Sequence, residues 1–197
     1  MSKLYLEAIE RFQKTLERAR ETGLLEPTAM TLSTAWPDGR VSSRMVLSKG
    51  CDQRGFIFYT NRESRKGQQL DENSRAALCF HWDPLREQIL IEGSVVCLSE
   101  EESDTYWRSR PRDSQIGAWA SPQSRPLESR VVFLADIARY SAQYVGRAIP
   151  RPPYWGGFLV QPTRIEFWKS EAFRLHFRSV YTKDEADHSW SVQTLYP

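Results

Sequence analysis

Short β-rich segments separated by turn signals fill most of the chain, and this pattern constrains the fold more than any other feature of the sequence. Runs rich in β-branched and aromatic residues predict strands, and turn residues such as Pro37-Asp38-Gly39 separate them. The predicted strands span 28–36, 41–48, 56–60, 76–82, 88–98, 158–161, 164–168, 173–181 and 190–195. Many short strands with a few helices between them predict a mainly β fold, an antiparallel, Greek-key-like barrel with covering α-helices.

Helical patterns occupy the remaining segments. Apolar residues recur at three- and four-residue steps over 5–19, which predicts an amphipathic helix ending near Gly23. Ser99 followed by Glu102 is a capping box and predicts a helix over 100–109, which Pro111 stops. Further helices are predicted within 61–73 and over 127–145. We expect a single domain over 1–197, with the helix in 1–23 packed on the barrel.

Charge and composition exclude several classes of function. Basic and acidic residues nearly balance, 27 against 25, so the excess of positive charge that nucleic-acid or membrane-surface binding requires is missing. Cys51, Cys79 and Cys97 form no CxxC pair and the histidines have no metal-ligand spacing, so we predict no metal site and reduced packing cysteines. No apolar run is long enough for a membrane span or a signal peptide, and we expect a cytoplasmic protein.

Two pairs of basic residues are candidates for holding a phosphate ester, which requires charge-assisted hydrogen bonds and preferably a guanidinium. One pair is Arg44 with Lys49, and the other is Arg65 with Lys66, just inside a predicted helix start. Backbone N–H groups at that start would add to the anion site. A solvated helix face is the competing interpretation, and neither a GxGxxG nor a P-loop motif is present.

A second small anion has a candidate site further along the chain. Tyr106 and Arg110 lie four residues apart and share a helix face, and Ser114 follows in the predicted turn. A hydroxyl and a guanidinium could hold the anion together. A tyrosine packed under an arginine stem explains the same spacing.

The segment 174–178 alternates titratable and apolar side chains. In a strand, Arg174, His176 and Arg178 would share one face, while Leu175 and Phe177 would point into the opposite layer. Such a face is typical of a site for an anionic, redox-active or proton-exchanging ligand. An exposed strand edge carrying protective positive charge is the alternative.

Seven segments together resemble the pyridoxamine 5′-phosphate oxidase family, in order and with matching spacing from about residue 26 to residue 197. They are RMVLSK (44–49), FYTN (58–61), ESRKG (63–67), SRPRDSQIGAW (109–119), WGGF (155–158), IEFW (165–168) and RLH (174–176). The resemblance implies an FMN-binding split β-barrel that forms a homodimer with FMN at the interface. It also implies oxidation of pyridoxamine or pyridoxine 5′-phosphate to pyridoxal 5′-phosphate, with O₂ as acceptor and release of H₂O₂.

Residue roles follow from the resemblance by motif. The implied FMN contacts are Arg44, Met45, Val46, Leu47, Ser48, Lys49, Tyr59, Thr60, Arg65, Lys66, Gln88, Gln123, Ser124, Trp168 and Arg178. The implied substrate contacts are Lys49, Tyr106, Arg110, Ser114, Arg174, Leu175 and His176, of which Arg174 and His176 are catalytic. The resemblance implies one site for the flavin phosphate and one for the substrate phosphate, in agreement with the two kinds of anion site read from the residues.

Two departures from the family pattern stand out. Phe177 occupies a position where relatives usually have an acidic residue, and we expect packing to absorb it with modest damage to function. Relatives often carry a longer N-terminal segment over the substrate, so weaker closure of the site and slow turnover are expected here. A split-barrel flavin oxidase acting on a phenazine-type substrate and a non-catalytic FMN- or pyridoxal-phosphate-binding protein are the alternatives.

Overall fold

The computed structural model describes residues 2–197, which form one nine-stranded antiparallel sheet and five α-helices. The helices are α1 (Lys3–Arg20), α2 (Arg65–Glu72), α3 (Glu100–Ser109), α4 (Arg112–Ala120) and α5 (Arg130–Gln143). The strands are β1 (Ala29–Ala35), β2 (Val41–Leu47), β3 (Gly50–Asp52), β4 (Gly55–Asn61), β5 (Arg75–Trp82), β6 (Glu87–Cys97), β7 (Trp155–Lys169), β8 (Phe177–Lys183) and β9 (Trp190–Leu195).

The long strand β7 organises the sheet. Strand β6 pairs with β7 along its length, whereas the other edge of β7 pairs with β4 over its first half and with β8 over its second half. The sheet order is β2-β1-β5-β6-β7-β4-β3, and β8 and β9 extend from β7. The sheet curls, because only Ser48 and Lys49 separate β2, at one end of this order, from β3, at the other end. The predicted mainly antiparallel β fold with covering helices is confirmed.

The sheet bends where β6 passes Gly93. The pairing register with β7 shifts between Glu92 and Gly93, which marks a β-bulge at the glycine. A Cβ at Gly93 would lie 2.1 Å from the carbonyl oxygen of Gln161, so only glycine permits this close approach. The prediction of two strands over 158–161 and 164–168 is wrong, because Pro162 lies at the bulge, where a missing N–H is tolerated, and β7 continues through it.

Helix α1 closes the hydrophobic core. Its buried residues recur at the predicted helical spacing, and Phe12 is fully buried. The ring of Phe12 lies 4.8 Å from that of Phe56 and 4.9 Å from that of Phe80, both in edge-on contacts. These aromatic contacts join the helix to two different strands, β4 and β5, so α1 belongs to the core of the sheet.

A second, smaller core lies under α3 and α4. It contains Trp107, Ile116, Ile149 and Trp155, the last at the start of β7. The capping box of Ser99 is present and α3 has its predicted bounds. Helix α4 was not predicted: the chain turns at the proline after α3 but resumes helical geometry at the next residue. A helix start tolerates proline because its first N–H groups have no intrahelical partner.

The structure also bears on membrane spans, metal clusters and the three cysteines. No helix in residues 2–197 is long and apolar enough to cross a membrane, and the same residues contain no cluster of three or more His, Cys, Asp or Glu placed to hold a metal ion. All three cysteines are free. Cys51 and Cys79 are partly buried, but Cys97 is exposed, so the packing role predicted for it is wrong.

We expect Phe12→Ala to destabilise the protein by about 3–5 kcal/mol, because it leaves a cavity where two strands meet the helix. Equilibrium unfolding in urea, followed by tryptophan fluorescence, measures the change. Leu25→Ala is the control, since Leu25 is fully exposed and its loss should alter the free energy of unfolding by less than about 0.5 kcal/mol. Equal effects of the two substitutions would contradict this description of the core.

Candidate functional site

Arg44 lies in a polar network at the edge of the sheet. Strand β2 alternates exposed and half-buried side chains, which turns Arg44 inward and Met45 outward. The guanidinium of Arg44 donates to the carbonyl oxygen of Leu32 at 3.1 Å, to the hydroxyl of Thr34 at 2.6 Å and to the hydroxyl of Ser42 at 2.5 Å. None of these acceptors is charged, so they orient the guanidinium without neutralising it.

Lys66 brings a buried ammonium group to the same region. Ser64 caps α2 by accepting a hydrogen bond from the backbone of Gly67, which confirms the predicted helix start. Lys66, in the first turn, is only 8% exposed, and its Nζ donates to the hydroxyl of Ser64 at 3.1 Å and to Oε1 of Gln123 at 2.8 Å. Burial, with the charge of Arg44 as a second cause, lowers the pKa of Lys66 to about 8.

Arg44, Arg65 and Lys66 form one cationic cluster. Burial, and then the nearby charge of Arg65, lowers the pKa of Arg44. Within residues 2–197, none of the three forms an ion pair with a carboxylate. Positive charges gathered this closely without a counter-ion favour the binding of an anion. The predicted pairing of Arg44 with Lys49 is therefore replaced by a pairing with the start of α2.

Lys49 and its neighbours face other surroundings. Lys49 and Ser48 line a groove of about 630 Å³ between α1 and the end of β2, and none of the three clustered cations lines this groove. Of the other predicted contacts, Val46 packs against the core, whereas Met45 and Leu47 are exposed on the opposite face of β2. Strand alternation thus prevents the side chains of 44–49 from acting on one face together.

A second cavity adjoins the cationic cluster. It has a volume of about 320 Å³ and is lined by Tyr59, Thr60, Asn61, Arg110, Ser114, Gly117, Ala118, Ser121, Gln123 and Trp155. Gln123 connects it to the cluster, since its Oε1 accepts from Lys66 and, at 3.2 Å, from the hydroxyl of Thr60. Ser124, next to Gln123, has a left-handed backbone with φ of 72°. The two anion-binding groups predicted from the sequence are therefore adjacent.

Arg110 lies over an aromatic floor in this cavity. Its guanidinium carbon is 4.6 Å from the ring of Trp155, and Tyr106 stacks on Tyr59 with ring centroids 3.9 Å apart. Burial lowers the pKa of Arg110, although the nearby Tyr106 opposes the shift. Ser114 belongs to the first turn of α4, so its predicted place in a turn is wrong. The three predicted partners nevertheless lie around one cavity or its aromatic wall.

Gln88, Trp168 and Arg178 form a row across the other end of the sheet. Gln88 on β6 is opposite Trp168 on β7, and Trp168 is opposite Arg178 on β8. The nearly buried carboxylate of Glu166 accepts from Nε of Arg178 at 2.7 Å. Burial alone would raise the pKa of Glu166, but hydrogen bonds from Arg178 and then Arg164 lower it. Arg178 thus has a carboxylate partner even though residue 177 is apolar.

The segment before β8 differs from its prediction. Strand β8 begins at Phe177, whereas the sequence predicts a strand from 173. A short 3₁₀ turn precedes it, and Phe173 and Arg174 both have left-handed backbones, with φ of 55° and 62°. Leu175 and Phe177 are each 66% exposed, so the expected opposite layer does not bury them. Strained backbone of this kind is common at ligand sites.

His176 remains close to the row across the sheet. Its ring centroid is 4.8 Å from that of Trp168, and its Nδ1 accepts a hydrogen bond from the backbone N–H of Glu171 at 3.2 Å. A neutral imidazole that accepts at Nδ1 carries its hydrogen at Nε2. The polar tip of His176 is therefore a donor at Nε2, although Arg174 beside it does not share a regular strand face with it.

The two halves of the predicted site are separated within one chain. Trp155 borders the cavity of Arg110, and Trp168 borders a groove of about 440 Å³ beside α1. These tryptophans are 13 positions apart on β7, a path of roughly 40 Å along an extended strand. The cavity and the groove share no lining residue. Within one chain, these two groups of predicted residues therefore lie in separate places.

Sequence reasoning missed two polar residues of the site. Gln69 is fully buried on α2 beside Arg44, and Glu166 is 3% exposed beside Arg178. The spacing of Gln69 three residues after Lys66 puts both on the same helix face, but no sequence motif marks that face as buried. The long-range partners of both residues become visible only in the folded chain.

The residues present fit a phosphate-bearing cofactor such as FMN. Within residues 2–197, the buried side-chain nitrogens that have no hydrogen-bond partner are Nε of Arg62, Nε2 of Gln69 and Nη1 of Arg110. The second belongs to the network of Arg44 and the third to the adjoining cavity. Buried donors normally have acceptors, so donors of this kind beside clustered cations match a site built for phosphate oxygens.

A curled antiparallel sheet with this arrangement defines the class of FMN-binding split-barrel proteins. Residues 16–144 match the family model described as pyridoxamine 5′-phosphate oxidase, and residues 155–197 match the pyridoxine 5′-phosphate oxidase C-terminal dimerisation region. The chain belongs to the pyridoxamine 5′-phosphate oxidase family.

Relatives and solved structures agree with this membership. The chain is 51% identical to the pyridoxine/pyridoxamine 5′-phosphate oxidase of Alkalilimnicola ehrlichii, covering 97% of each chain. It is 49% identical to that of Myxococcus xanthus, covering 96% of this chain and 91% of the relative. PhzG of Burkholderia lata, solved with tetrahydrophenazine-1-carboxylic acid, superposes with a TM-score of 0.91 at 36% identity, covering 96% of this chain and 92% of PhzG. An FMN-binding protein of Nostoc punctiforme shares the fold, with a TM-score of 0.76 at 18% identity, covering 95% of this chain and 96% of that protein.

The lowered pKa of Lys66 predicts that affinity for FMN falls as the pH rises through about 8, because the neutral amine no longer attracts the phosphate. FMN binding measured by flavin fluorescence from pH 6.5 to 9.5 checks this. In Lys66→Arg, whose guanidinium stays charged over the whole range, the decline should be largely absent. A pH dependence that survives in the variant would assign the effect to another group.

Proposed function

We propose that the chain is an FMN-dependent oxidase that converts pyridoxamine or pyridoxine 5′-phosphate to pyridoxal 5′-phosphate, with O₂ as electron acceptor. One observation carries the proposal beyond family membership. The cationic cluster of Arg44, Arg65 and Lys66 adjoins the cavity of Arg110, and Gln123 contacts both. Flavin and substrate must bind side by side for their rings to stack, so a flavin phosphate and a substrate phosphate require two neighbouring anion sites. A single domain, 1–197, carries both sites in this proposal.

FMN is the cofactor, and its phosphate is assigned to the cationic cluster. Lys66 and the guanidinium of Arg44 supply the charge, and the N-terminus of α2 supplies backbone donors. Thr60 and Gln123 border the cluster on the side of the cavity. When bound, FMN accepts two electrons and a proton equivalent from the substrate and passes the electrons to O₂.

The phosphate of the substrate is assigned to the cavity of Arg110. Arg110 has a buried donor without a partner in residues 2–197, and Ser114 adds a hydroxyl to the same lining. Tyr106 stacks against the aromatic wall beside them. Charge-assisted hydrogen bonds from a desolvated guanidinium would select phosphorylated over unphosphorylated vitamers. Lys49, which lies in a separate groove of the same chain, remains an expected contact from the family resemblance.

A homodimer would assemble the complete site. The matched dimerisation region, 155–197, contains Trp168, Arg174, His176 and Arg178, and Gln88 lies opposite Trp168. Several apolar side chains in this region are exposed, namely Phe173, Leu175, Phe177, Val192 and Tyr196. Exposed apolar groups of this number are typical of a surface that a partner covers. We therefore assign FMN and substrate to the interface between two copies in a cytoplasmic enzyme.

Arg174 and His176 are the proposed catalytic residues. Oxidation of the C4′ carbon removes two electrons, O₂ becomes H₂O₂, and water displaces ammonia when the substrate is the amine. Arg174 would hold the substrate over the flavin through its fixed charge, and His176 would donate from Nε2 to the substrate.

A second candidate is a phenazine-type flavin oxidase. The observation that favours it is the structural similarity to PhzG, which was solved with tetrahydrophenazine-1-carboxylic acid. That ligand has a carboxylate and no phosphate, so it would not need the cavity of Arg110. The 51% identity to a pyridoxine/pyridoxamine 5′-phosphate oxidase favours the phosphorylated vitamer.

The purified protein should be yellow, and anaerobic addition of pyridoxamine 5′-phosphate should bleach its flavin absorbance, with H₂O₂ formed once air is admitted. Pyridoxine 5′-phosphate is tested as the second expected substrate, and an N-heteroaromatic carboxylate is tested for the phenazine-type alternative. If the protein binds flavin but neither pyridoxamine nor pyridoxine 5′-phosphate reduces it, the proposed activity is contradicted and a non-catalytic binding protein is favoured.

Arg110→Gln should raise the KM for pyridoxamine 5′-phosphate by roughly 10- to 100-fold, because a charge-assisted hydrogen bond of about 1.5–3 kcal/mol is lost. FMN content should not change. Arg108→Gln is the matched control, since Arg108 is exposed in the last turn of α3, two residues before Arg110. A normal KM in Arg110→Gln would contradict the assignment of the substrate phosphate to this cavity.

Arg174→Ala should reduce kcat by roughly 100-fold while FMN stays bound, because the substrate loses its alignment with the flavin. Rapid-reaction measurement of flavin reduction separates this step from oxidation by O₂. Lys183→Ala, at the far end of β8, controls for loss of a positive charge elsewhere in this part of the chain. Flavin reduction at the normal rate would withdraw the catalytic assignment.

A further inference from the structure

Gln69 occupies the centre of the network that holds Arg44. It lies on α2 one turn after Lys66 and is completely buried. Its Oε1 accepts from the hydroxyl of Thr34 at 2.6 Å and from that of Ser42 at 2.8 Å, and Nη2 of Arg44 lies 3.4 Å away. One side-chain oxygen therefore connects two neighbouring strands, β1 and β2, to the helix of the cationic cluster.

The direction of every hydrogen bond in this network follows from the guanidinium. Arginine can only donate, so the hydroxyls of Thr34 and Ser42 accept from Arg44 and must direct their own hydrogens elsewhere. Both hydrogens point to Gln69, which orients the amide with its oxygen toward Arg44. The surroundings thus fix the orientation of the amide. Each hydroxyl accepts a hydrogen bond from Arg44 and donates one to Gln69.

The absence of charge on the side chain of Gln69 indicates its role. A glutamate would have nearly the same shape and would accept the same hydrogen bonds more strongly. It would also place a negative charge beside Arg44 and cancel the attraction for an anion. A buried amide instead accepts these bonds and leaves the positive charge of Arg44 available, and its own Nε2 has no partner in residues 2–197.

We propose that Gln69 is a positioning residue for the cofactor phosphate: it fixes the guanidinium of Arg44 through neutral acceptors so that the full positive charge serves the phosphate of FMN. The inference rests on the proposed function, in which this cluster binds that phosphate. In this proposal α2 supplies Lys66 and backbone donors, and it also orients Arg44 through Gln69. A merely structural role would require hydrogen-bond acceptors at this position but would be indifferent to their charge.

The substitution Gln69→Glu separates the two roles, because it keeps the acceptors and changes the charge. FMN-free protein is titrated with FMN and with riboflavin, which lacks the phosphate, and its thermal unfolding is followed. We expect the Kd for FMN to rise at least about tenfold, the Kd for riboflavin to change by less than about twofold, and the Tm of the flavin-free protein to stay equal or rise. The variant should thus fold well and bind FMN poorly.

Gln68→Glu is the matched control. Gln68 is exposed on the same helix, so the substitution adds the same charge outside the network and should leave both Kd values nearly unchanged. Unchanged FMN affinity in Gln69→Glu, or equal weakening of FMN and riboflavin, would overturn the positioning role. A wild-type protein that binds FMN no better than riboflavin would instead contradict the placement of the phosphate in this cluster, which is part of the proposed function.

Discussion

The strand β7 is the constraint on which the architecture depends. It pairs with β6 along one edge and divides its other edge between β4 and β8. Residues at its start and end therefore belong to different parts of the curled sheet. The cationic cluster and the cavity of Arg110 lie near its first residues, whereas Trp168 and the row across the sheet lie near its last. The matched dimerisation region, residues 155–197, also begins at this strand.

The charge around the arginines differs between the two ends of β7. Around Arg44, hydroxyl, carbonyl and amide groups accept the hydrogen bonds and none carries charge, so the positive potential of the guanidinium is not neutralised by these partners. At the other end, Arg178 is neutralised by Glu166, which Arg164 also contacts. Neutralised and fixed, Arg178 is suited to making a directed hydrogen bond and less to attracting charge. The difference fits a phosphate at the first end and a largely uncharged ring system at the second.

The elements that the sequence predicted best are those with strong local signals. The capping box at Ser99 gives α3 its bounds, and the apolar repeat of α1 gives both the helix and its buried face. The failures occurred where a local rule met a tertiary contact. Two strands were predicted over 158–161 and 164–168, but β7 continues through Pro162 at the bulge opposite Gly93. The alternation at 174–178 was read as a strand face, but two left-handed residues replace the strand before 177.

The sequence by itself determined the family, the mainly β fold class and most of its strands and helices, because motif spacing, caps and hydrophobic periodicity are local properties of the chain. Only the tertiary structure decided which cations act together. Arg44 joins Lys66 and not Lys49, since α2 packs beside β1 and β2 and strand alternation turns neighbouring side chains apart. Gln69 and Glu166 acquired their partners in the same way, because contacts between distant segments depend on how the sheet closes and not on spacing along the chain.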